Sequence, residues 1–572
     1  MSTPVIEVEH LTVSYRRRRH TLTAVRDLSF RVDRGEILAI VGESGSGKTT
    51  TAHALLGLLP SNATIDGGRI VIEEALRSGD RYRRSSDGSP EGSYEPTPVP
   101  ISGSQGTDVT HARDKTWRRL RGRVVSLVPQ DPMVGLNPTQ RIGVQVGEAV
   151  RQSTALRGVA VDARVLELLD LAGVPEAETR AKQYPHQLSG GLRQRGLIAI
   201  ALAGDPDVIV ADEPTSALDV TVQKVILDHL ESLVRDRGIS LVIITHDLAV
   251  AADRADRVLV MKDGRLVETG RADDVLSAPA DDYTRQLLLA APSLAAGGRI
   301  IARHTEVAEA PEILRLEGLG KVYALPRTTS GARTLTALDD VTLRVGKGQT
   351  LGIVGESGSG KTTLLRLALG LEQPTSGRIV FEDRDITGLS WRELRPLRRR
   401  FQLVQQNPYA SIDPRFTVER AIVEPLVSFG IGSRTDRRRR AAQLADMVAL
   451  PASSLDRPAT ELSGGQRQRV AIARALALEP DLVFLDEPVS ALDVSVQAQI
   501  LALLASLQET LGLTYVFVSH DLSVVGELAH HVAVLASGRV VEHGVAEQVL
   551  TAPEHDLVRQ LIAAVPGVKV PA

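Results

Sequence analysis

The 572-residue sequence contains no cysteine, which excludes disulfides, cysteine-ligated zinc and iron–sulfur clusters from holding or regulating the fold. That composition agrees with a reducing compartment. No apolar run approaches the roughly 20 residues a membrane-spanning helix needs, and stretches such as 196–204 stop well short of it. If the protein works at a membrane, other chains span it. The opening residues, MSTPVIEVEHLTV, lack the basic-then-apolar pattern of a secretory leader. A dominant charge is missing too: 67 Lys+Arg against 70 Asp+Glu leave a net charge of -3, which sets up no global field for nucleic acid. Arginine runs at 16–19, 398–400 and 437–440 have no interleaved aromatics, so they read as solvated faces of loops or helices.

What the sequence does have, it has twice. The segment IVGESGSGKTT occupies 40–50 and again 353–363. Each copy contains G-x-x-x-x-G-K-[ST], with Gly42, Gly47, Lys48 and Thr49 in the first and Gly355, Gly360, Lys361 and Thr362 in the second. A strand-like apolar run precedes each copy and a helix-like run follows it, which is the context this motif requires. Glycines let backbone N–H groups wrap a polyphosphate, and the helix N-terminus adds partial positive charge. The lysine reaches the terminal phosphates and the threonine hydroxyl ligates Mg²⁺. Ser44, Gly45 and Thr50, with Ser357, Gly358 and Thr363, complete the two candidate loops.

Spacing measures the repeat. Leu188 and Leu462, Asp212 and Asp486, His246 and His520, and Pro292 and Pro566 all pair at one constant offset. Upstream the register changes, because the interval from Lys48 to Gln130 is much longer than that from Lys361 to Gln406. The surplus falls mainly between Ile72 and Trp117, in a stretch including SSDGSPEGSYEPTPVPISGSQGTD whose Ser, Gly and Pro content predicts a disordered insert over about 76–113. An inert insertion and a regulatory or partner-binding segment are the two readings of it. Residues 295–312 read as a linker, which gives domains of 1–294 and 313–572.

Short apolar runs alternate with helical patterns in both halves, predicting an α/β fold. VIVADE (208–213) and LVFLDE (482–487) are buried-strand runs ending in acid, and LVIITHD (241–247) and TYVFVSHD (514–521) end in His-Asp. A parallel sheet puts ligand chemistry at such strand ends. Asp212 and Asp486 are therefore candidate Mg²⁺ partners, and Glu213 and Glu487 candidate general bases toward the attacking water.

LSGGLRQR (188–195) and LSGGQRQR (462–469) then make the pattern specific. They resemble the signature motif of ATP-binding-cassette ATPases. The resemblance implies tandem P-loop nucleotide-binding domains, each with an α/β core and a helical subdomain, using ATP and Mg²⁺. It further implies that Ser189 and Gly191, and Ser463 and Gly465, face the γ-phosphate of a nucleotide held by the other domain. By the same resemblance Gln130 and Gln406 are Q-loop residues that sense Mg²⁺, His246 and His520 are switch histidines, and SALD at 216–219 and 490–493 forms D-loops. Tyr15 and Tyr323 resemble the aromatic that stacks on adenine, although Tyr15 stands nearer in sequence to Lys48 than Tyr323 does to Lys361. Leu192 stands where the second copy has Gln466, and Gly196 where it has Val470. No catalytic position is degenerate, so both sites are expected to hydrolyse ATP.

A DNA-repair member of the family is expected to carry zinc-binding cysteines or long coiled coils, and a translation-associated member a long charged linker or an iron–sulfur domain; this sequence has neither. YPHQLSGG (184–191), GLNP (135–138), SIDP (411–414), TSALDVTVQ, VSALDVSVQ and the matching tails at 277–292 and 551–566 resemble the dipeptide/oligopeptide/nickel importer family. That resemblance implies two ATPase subunits fused in one chain, bound peripherally at the cytoplasmic face of the membrane to two permease subunits and served indirectly by an external substrate-binding protein. Neither nucleic acid nor a metal cluster is expected as a partner. Peptide is the expected cargo, with nickel, glutathione or a peptide-like antibiotic as alternatives.

Overall fold

The computed structural model describes residues 4–17, 20–74, 105–216, 218–291, 309–324, 334–407, 411–490 and 492–568. They form two compact units, one from Met1–Leu218 with Val225–Arg285, the other from Gln286–Ala572 with Asp219–Lys224.

The first unit contains strands β1 (Pro4–Arg17), β2 (His20–Asp33), β3 (Ile37–Val41), β4 (Ala63–Glu74), β5 (Gln105–Asp108), β6 (Val125–Val128), β7 (Val208–Asp212), β8 (Ser240–Thr245), β9 (Arg257–Lys262) and β10 (Arg265–Arg271). Two sheets result, an antiparallel one in the order β2-β1-β4-β5 and a six-stranded one in the order β10-β9-β3-β8-β7-β6. Only β10 of the larger sheet runs antiparallel to its neighbour. Its central strands read ILAIV and VIVAD, with every residue buried, as a sheet covered on both faces demands. Three helices matter for the site: α1 (Lys48–Leu55), α2 (Gly190–Ala201) and α3 (Asp282–Ala290). The main core lies between the antiparallel sheet and one face of the larger sheet, where Val8, Leu11, Val25 and Ile70 meet Leu38, Ile40, Leu55, Val210 and Leu259. Beside it, helices Ile142–Ser153, Val159–Leu171 and α2 pack together as a helical layer.

The second unit repeats this plan. Its strands are β11 (Glu312–Ala324), β12 (Thr334–Gly346), β13 (Thr350–Val354), β14 (Ser376–Phe381), β15 (Arg384–Asp385), β16 (Phe401–Val404), β17 (Leu482–Asp486), β18 (Thr514–Val518), β19 (His531–Ala536) and β20 (Arg539–Val545). Their orders are β12-β11-β14-β15 and β16-β17-β18-β13-β19-β20. Helix α4 (Lys361–Ala368) follows β13, and α5 (Gly464–Leu476) packs with Val418–Phe429 and Arg434–Met447.

The disordered insert expected over 76–113 needs correcting at its C-terminal end. Residues 75–104 lie outside the described residues, but Gln105–Asp108 forms β5, paired antiparallel to β4 through Val71 and Asp108. Val109 is 2% exposed, and the Thr110 hydroxyl accepts the Ile70 N–H at 2.9 Å while donating to Asp108 at 2.7 Å. The second unit closes its hairpin with the same device: Thr387 Oγ1 accepts the Ile379 N–H at 2.7 Å and its own N–H donates to Asp385 at 2.8 Å. An Asp-x-Thr turn with one buried valine is too short to register as hydrophobic periodicity, so composition assigned it to the insert. The expected linker lies outside the described residues as far as 308, and β11 already begins at Glu312.

Candidate active site

β3 delivers the chain to a loop whose geometry only glycine permits. At Gly42 φ is +146°, and a Cβ there would lie 2.2 Å from the Met261 carbonyl oxygen; at Gly47, φ +101°, it would lie 2.5 Å from the Ala24 carbonyl oxygen. The loop thus folds against backbone on two sides. α1 starts at once with Lys48, 5% exposed, whose Nζ donates to the Gly42 carbonyl at 2.6 Å and the Glu43 carbonyl at 2.9 Å. The second loop reproduces these contacts: Gly355 at φ +154° with a Cβ position 2.2 Å from the Leu535 carbonyl oxygen, and Lys361 Nζ at 2.6 Å from the Gly355 and 2.9 Å from the Glu356 carbonyls. Burial holds Lys361 below the usual lysine range. A glycine cradle, a helix N-terminus and a buried cation form a receptor for a polyphosphate.

Strand order assembles the rest. Because β3, β8, β7 and β6 lie side by side, their C-terminal ends present the phosphate loop, His246, the Asp212–Glu213 pair and Gln130 in one row. Thr49 Oγ1 donates to Asp212 Oδ1 at 3.4 Å. Gln130 Nε2 donates to Glu213 Oε2 at 2.6 Å, and His246 Nδ1 lies 3.1 Å from Glu213 Oε1. In the second unit Gln406 Nε2 donates to Glu487 Oε2 at 2.8 Å, and His520 Nδ1 lies 3.2 Å from the same oxygen. Both glutamates adopt left-handed backbone, φ +45° and +44°, a strained conformation for a residue with a side chain. Their N–H groups are tied to the next strand, Glu213 to the Ile244 carbonyl at 2.8 Å and Glu487 to the Val518 carbonyl at 3.0 Å. This turn aims each carboxylate off the strand end toward its histidine.

Electrostatics separates the paired acids. Burial first, then the charge of Glu213, raises Asp212 above the usual carboxylate range, and burial with Glu487 does the same for Asp486. Burial would raise the two glutamates as well, but contact with His246, Lys48 and Gln130 holds Glu213 below its ordinary value. His520 and Lys361 act likewise on Glu487. Burial disfavours charge on His520, yet the pairing with Glu487 outweighs it and raises the imidazole above its ordinary value. Each unit therefore offers a glutamate kept ionised beside an aspartate whose charge is only partly compensated. The oxygen donors Thr49, Gln130 and Asp212 suit a hard divalent cation such as Mg²⁺.

The other expected residues sit around this centre with differences between the copies. Tyr15 OH lies 3.2 Å from Thr50 Oγ1, whereas Tyr323 OH donates to Glu372 at 2.6 Å. Glu372 is also paired with Arg366 at 3.3 Å and Lys321 at 3.7 Å; the first copy has Leu59 at the matching place. Ser189 and Ser463 cap α2 and α5, accepting the N–H of Leu192 at 3.4 Å and of Gln466 at 3.3 Å. Only the second cap is reciprocal, since Gln466 Oε1 accepts the Ser463 N–H at 3.1 Å and Leu192 has no such group. Sequence reasoning missed Glu372, and also Tyr283 on α3, whose hydroxyl accepts the Glu43 N–H at 3.2 Å. A signal for each existed: both are polar residues standing against leucine in the other copy, Leu59 and Leu557.

Comparison with known proteins agrees with this construction. The ABC transporter family model matches residues 25–216 and 338–490. The chain is 39% identical to the oligopeptide transport ATP-binding protein OppD of Mycobacterium tuberculosis, over 98% of each chain. It is 40% identical to the glutathione import ATP-binding protein GsiA of Pectobacterium atrosepticum, over 98% of this chain and 89% of that one. With GsiA of Salmonella typhimurium it shares 39% identity over 99% of this chain and 90% of the relative.

Proposed function

The chain belongs to the ABC transporter family of ATPases, and on that premise we propose that it is the energy-coupling subunit of an importer of oligopeptides. The observation that carries the proposal is the duplicated site: both units join an intact phosphate loop to a glutamate gripped by a glutamine and a histidine. In the proposed chemistry Lys48 and Lys361, with the loop N–H groups, hold the ATP phosphates. Thr49, Gln130 and Asp212, with Thr362, Gln406 and Asp486, hold Mg²⁺, which supplies charge neutralisation on the phosphates. Glu213 and Glu487 accept the proton of the attacking water, and His246 and His520 orient those carboxylates and reach the γ-phosphate. Tyr15 and Tyr323 stack on adenine, and Ser189, Gly191, Ser463 and Gly465 contribute the signature contacts that the family resemblance implies.

Hydrolysis must be delivered to something. Among the described residues no helix is long and apolar enough to cross a membrane, so the proposed recipients are two permease subunits, met at the cytoplasmic face. Directly after Gln130, the short helix Pro132–Gly135 exposes Met133 by 50% and Val134 by 83%, an apolar pair that supports docking to such a partner. The names of the relatives support peptide as cargo, and GsiA supports a second reading, glutathione. Uptake assays in a strain lacking the gene separate them: loss of di- and oligopeptide uptake, restored by the parent chain, is expected. Intact peptide uptake with lost glutathione uptake would keep the importer and replace the cargo. Co-purification with ribosomes and no permease would overturn the proposal.

A further inference from the structure

The tail of the first unit reaches its own phosphate loop. Tyr283, 6% exposed, accepts the Glu43 N–H on its hydroxyl at 3.2 Å, and Lys262 Nζ lies 4.5 Å from the centre of the same ring. The start of α3 is itself tethered, because Glu268 accepts the N–H groups of Ala280 at 2.8 Å and Asp281 at 3.2 Å, and Asp281 accepts that of Tyr283 at 2.8 Å. Glu43 is thereby held at both ends of its backbone. Its carbonyl receives Lys48 Nζ at 2.9 Å and the Ser46 N–H at 3.1 Å.

In the second unit the carbonyl side is the same, with Lys361 Nζ at 2.9 Å and the Ser359 N–H at 3.1 Å on Glu356. The tail differs. Leu557 stands at the place of Tyr283 and Ala536 at that of Lys262, in the same constant offset that aligns the two halves. Leucine cannot accept an N–H, and alanine has no cation to set over a ring.

We propose that Tyr283 is a positioning residue of the first site alone. It keeps the Glu43 end of the loop in place while Lys48 leaves the Glu43 carbonyl for a phosphate oxygen, so that less of the loop has to be ordered when ATP enters. The second site has no such strut at its tail; its loop is held instead at Ser357, whose N–H and hydroxyl donate to Asp219 at 3.0 and 2.9 Å. The two sites of one chain thus differ in ATP affinity through the tail and not through the catalytic residues. This rests on the assignment of the two loops to ATP.

The test is binding of Mg²⁺ and trinitrophenyl-ATP to the full-length chain, with one site silenced at a time. In a Lys361→Ala background, which leaves the first site, Tyr283→Phe should weaken binding about 3- to 10-fold, the range for one lost hydrogen bond. In a Lys48→Ala background, which leaves the second, the same substitution should change nothing. In the otherwise parental chain it should raise KM for ATP without lowering kcat. Equal weakening in both backgrounds would mark a purely structural role and overturn the proposal, as would no effect in either. Two sites persisting in the Lys48→Ala/Lys361→Ala chain would instead overturn the ATP assignment and the proposal with it.

Discussion

Replacing Glu213 and Glu487 together by glutamine should reduce steady-state ATP hydrolysis by roughly 10²- to 10⁴-fold, a barrier increase of about 3 to 5 kcal/mol. ATP binding should remain. Each carboxylate accepts from a glutamine side chain at 2.6 or 2.8 Å and sits 3.1 or 3.2 Å from a histidine nitrogen. At position 213 an isosteric amide keeps an oxygen for Gln130 and turns its NH₂ toward His246. At position 487, where both neighbours meet one oxygen, the amide oxygen accepts from both, so the constellation survives and only the proton acceptor is lost. A second consequence reinforces retention of nucleotide. Asp212 and Asp486 are raised by burial and then by the neighbouring glutamate charge, so neutralising that glutamate favours the ionised aspartate that a Mg²⁺ complex requires. The assay is phosphate release at saturating ATP, paired with equilibrium nucleotide binding on the same preparation. A double variant that hydrolyses ATP within threefold of the parent would refute the general-base assignment, and one that no longer binds ATP would refute the geometric argument.

The His520–Glu487 pair makes a pH-dependent contribution to stability. Because His520 is raised above its ordinary value, the contribution is complete below the unfolded histidine pKa, about 6.5, and fades as pH rises through the folded value. His520→Gln should therefore lower stability most near pH 6 and least near pH 9, by about 1 kcal/mol at most for a partly exposed pair; thermal melts showing a gap in Tm that widens with pH would contradict this. Deleting residues 85–104 should leave Tm and basal ATPase near parental values, whereas deletion of 85–110 should lower Tm by several degrees. The longer cut removes β5 and the buried Val109, whose burial is worth roughly 1.5 to 3 kcal/mol; equal melting of the two deletions would show that β5 contributes nothing.

Much of the site could be read from the sequence because each part ends an apolar strand. A buried run followed at once by Gly-rich loop, Asp-Glu or His places its chemistry at a strand end whatever the neighbours are, and parallel pairing of β3, β8, β7 and β6 does the rest. What could not be read depended on pairing between distant segments. β5 is four residues long and acquires meaning only beside β4. Glu372 matters only because the fold brings it within 2.6 Å of Tyr323, and the left-handed turn at Glu213 is imposed by its bond to Ile244 on the next strand. Neither leaves a periodic trace.

Internal duplication makes such hidden contacts easier to find. Where the two copies agree, the distances nearly coincide: the lysine–carbonyl contacts are 2.6 and 2.9 Å in both loops. The glutamine–glutamate contacts are 2.6 and 2.8 Å, and the histidine–glutamate separations 3.1 and 3.2 Å. Shared chemistry accounts for that agreement. Three differences lie beside the site: Leu192 against Gln466 at the signature cap, Leu59 against Glu372 beside the aromatic, and Tyr283 against Leu557 at the loop. Each exchange changes the polar contacts, from one at the signature cap to three at Glu372, next to a constellation whose residues are unchanged. On the proposed roles, hydrolytic competence rests on strand ends common to both units, and ATP affinity is tuned by side chains peculiar to each.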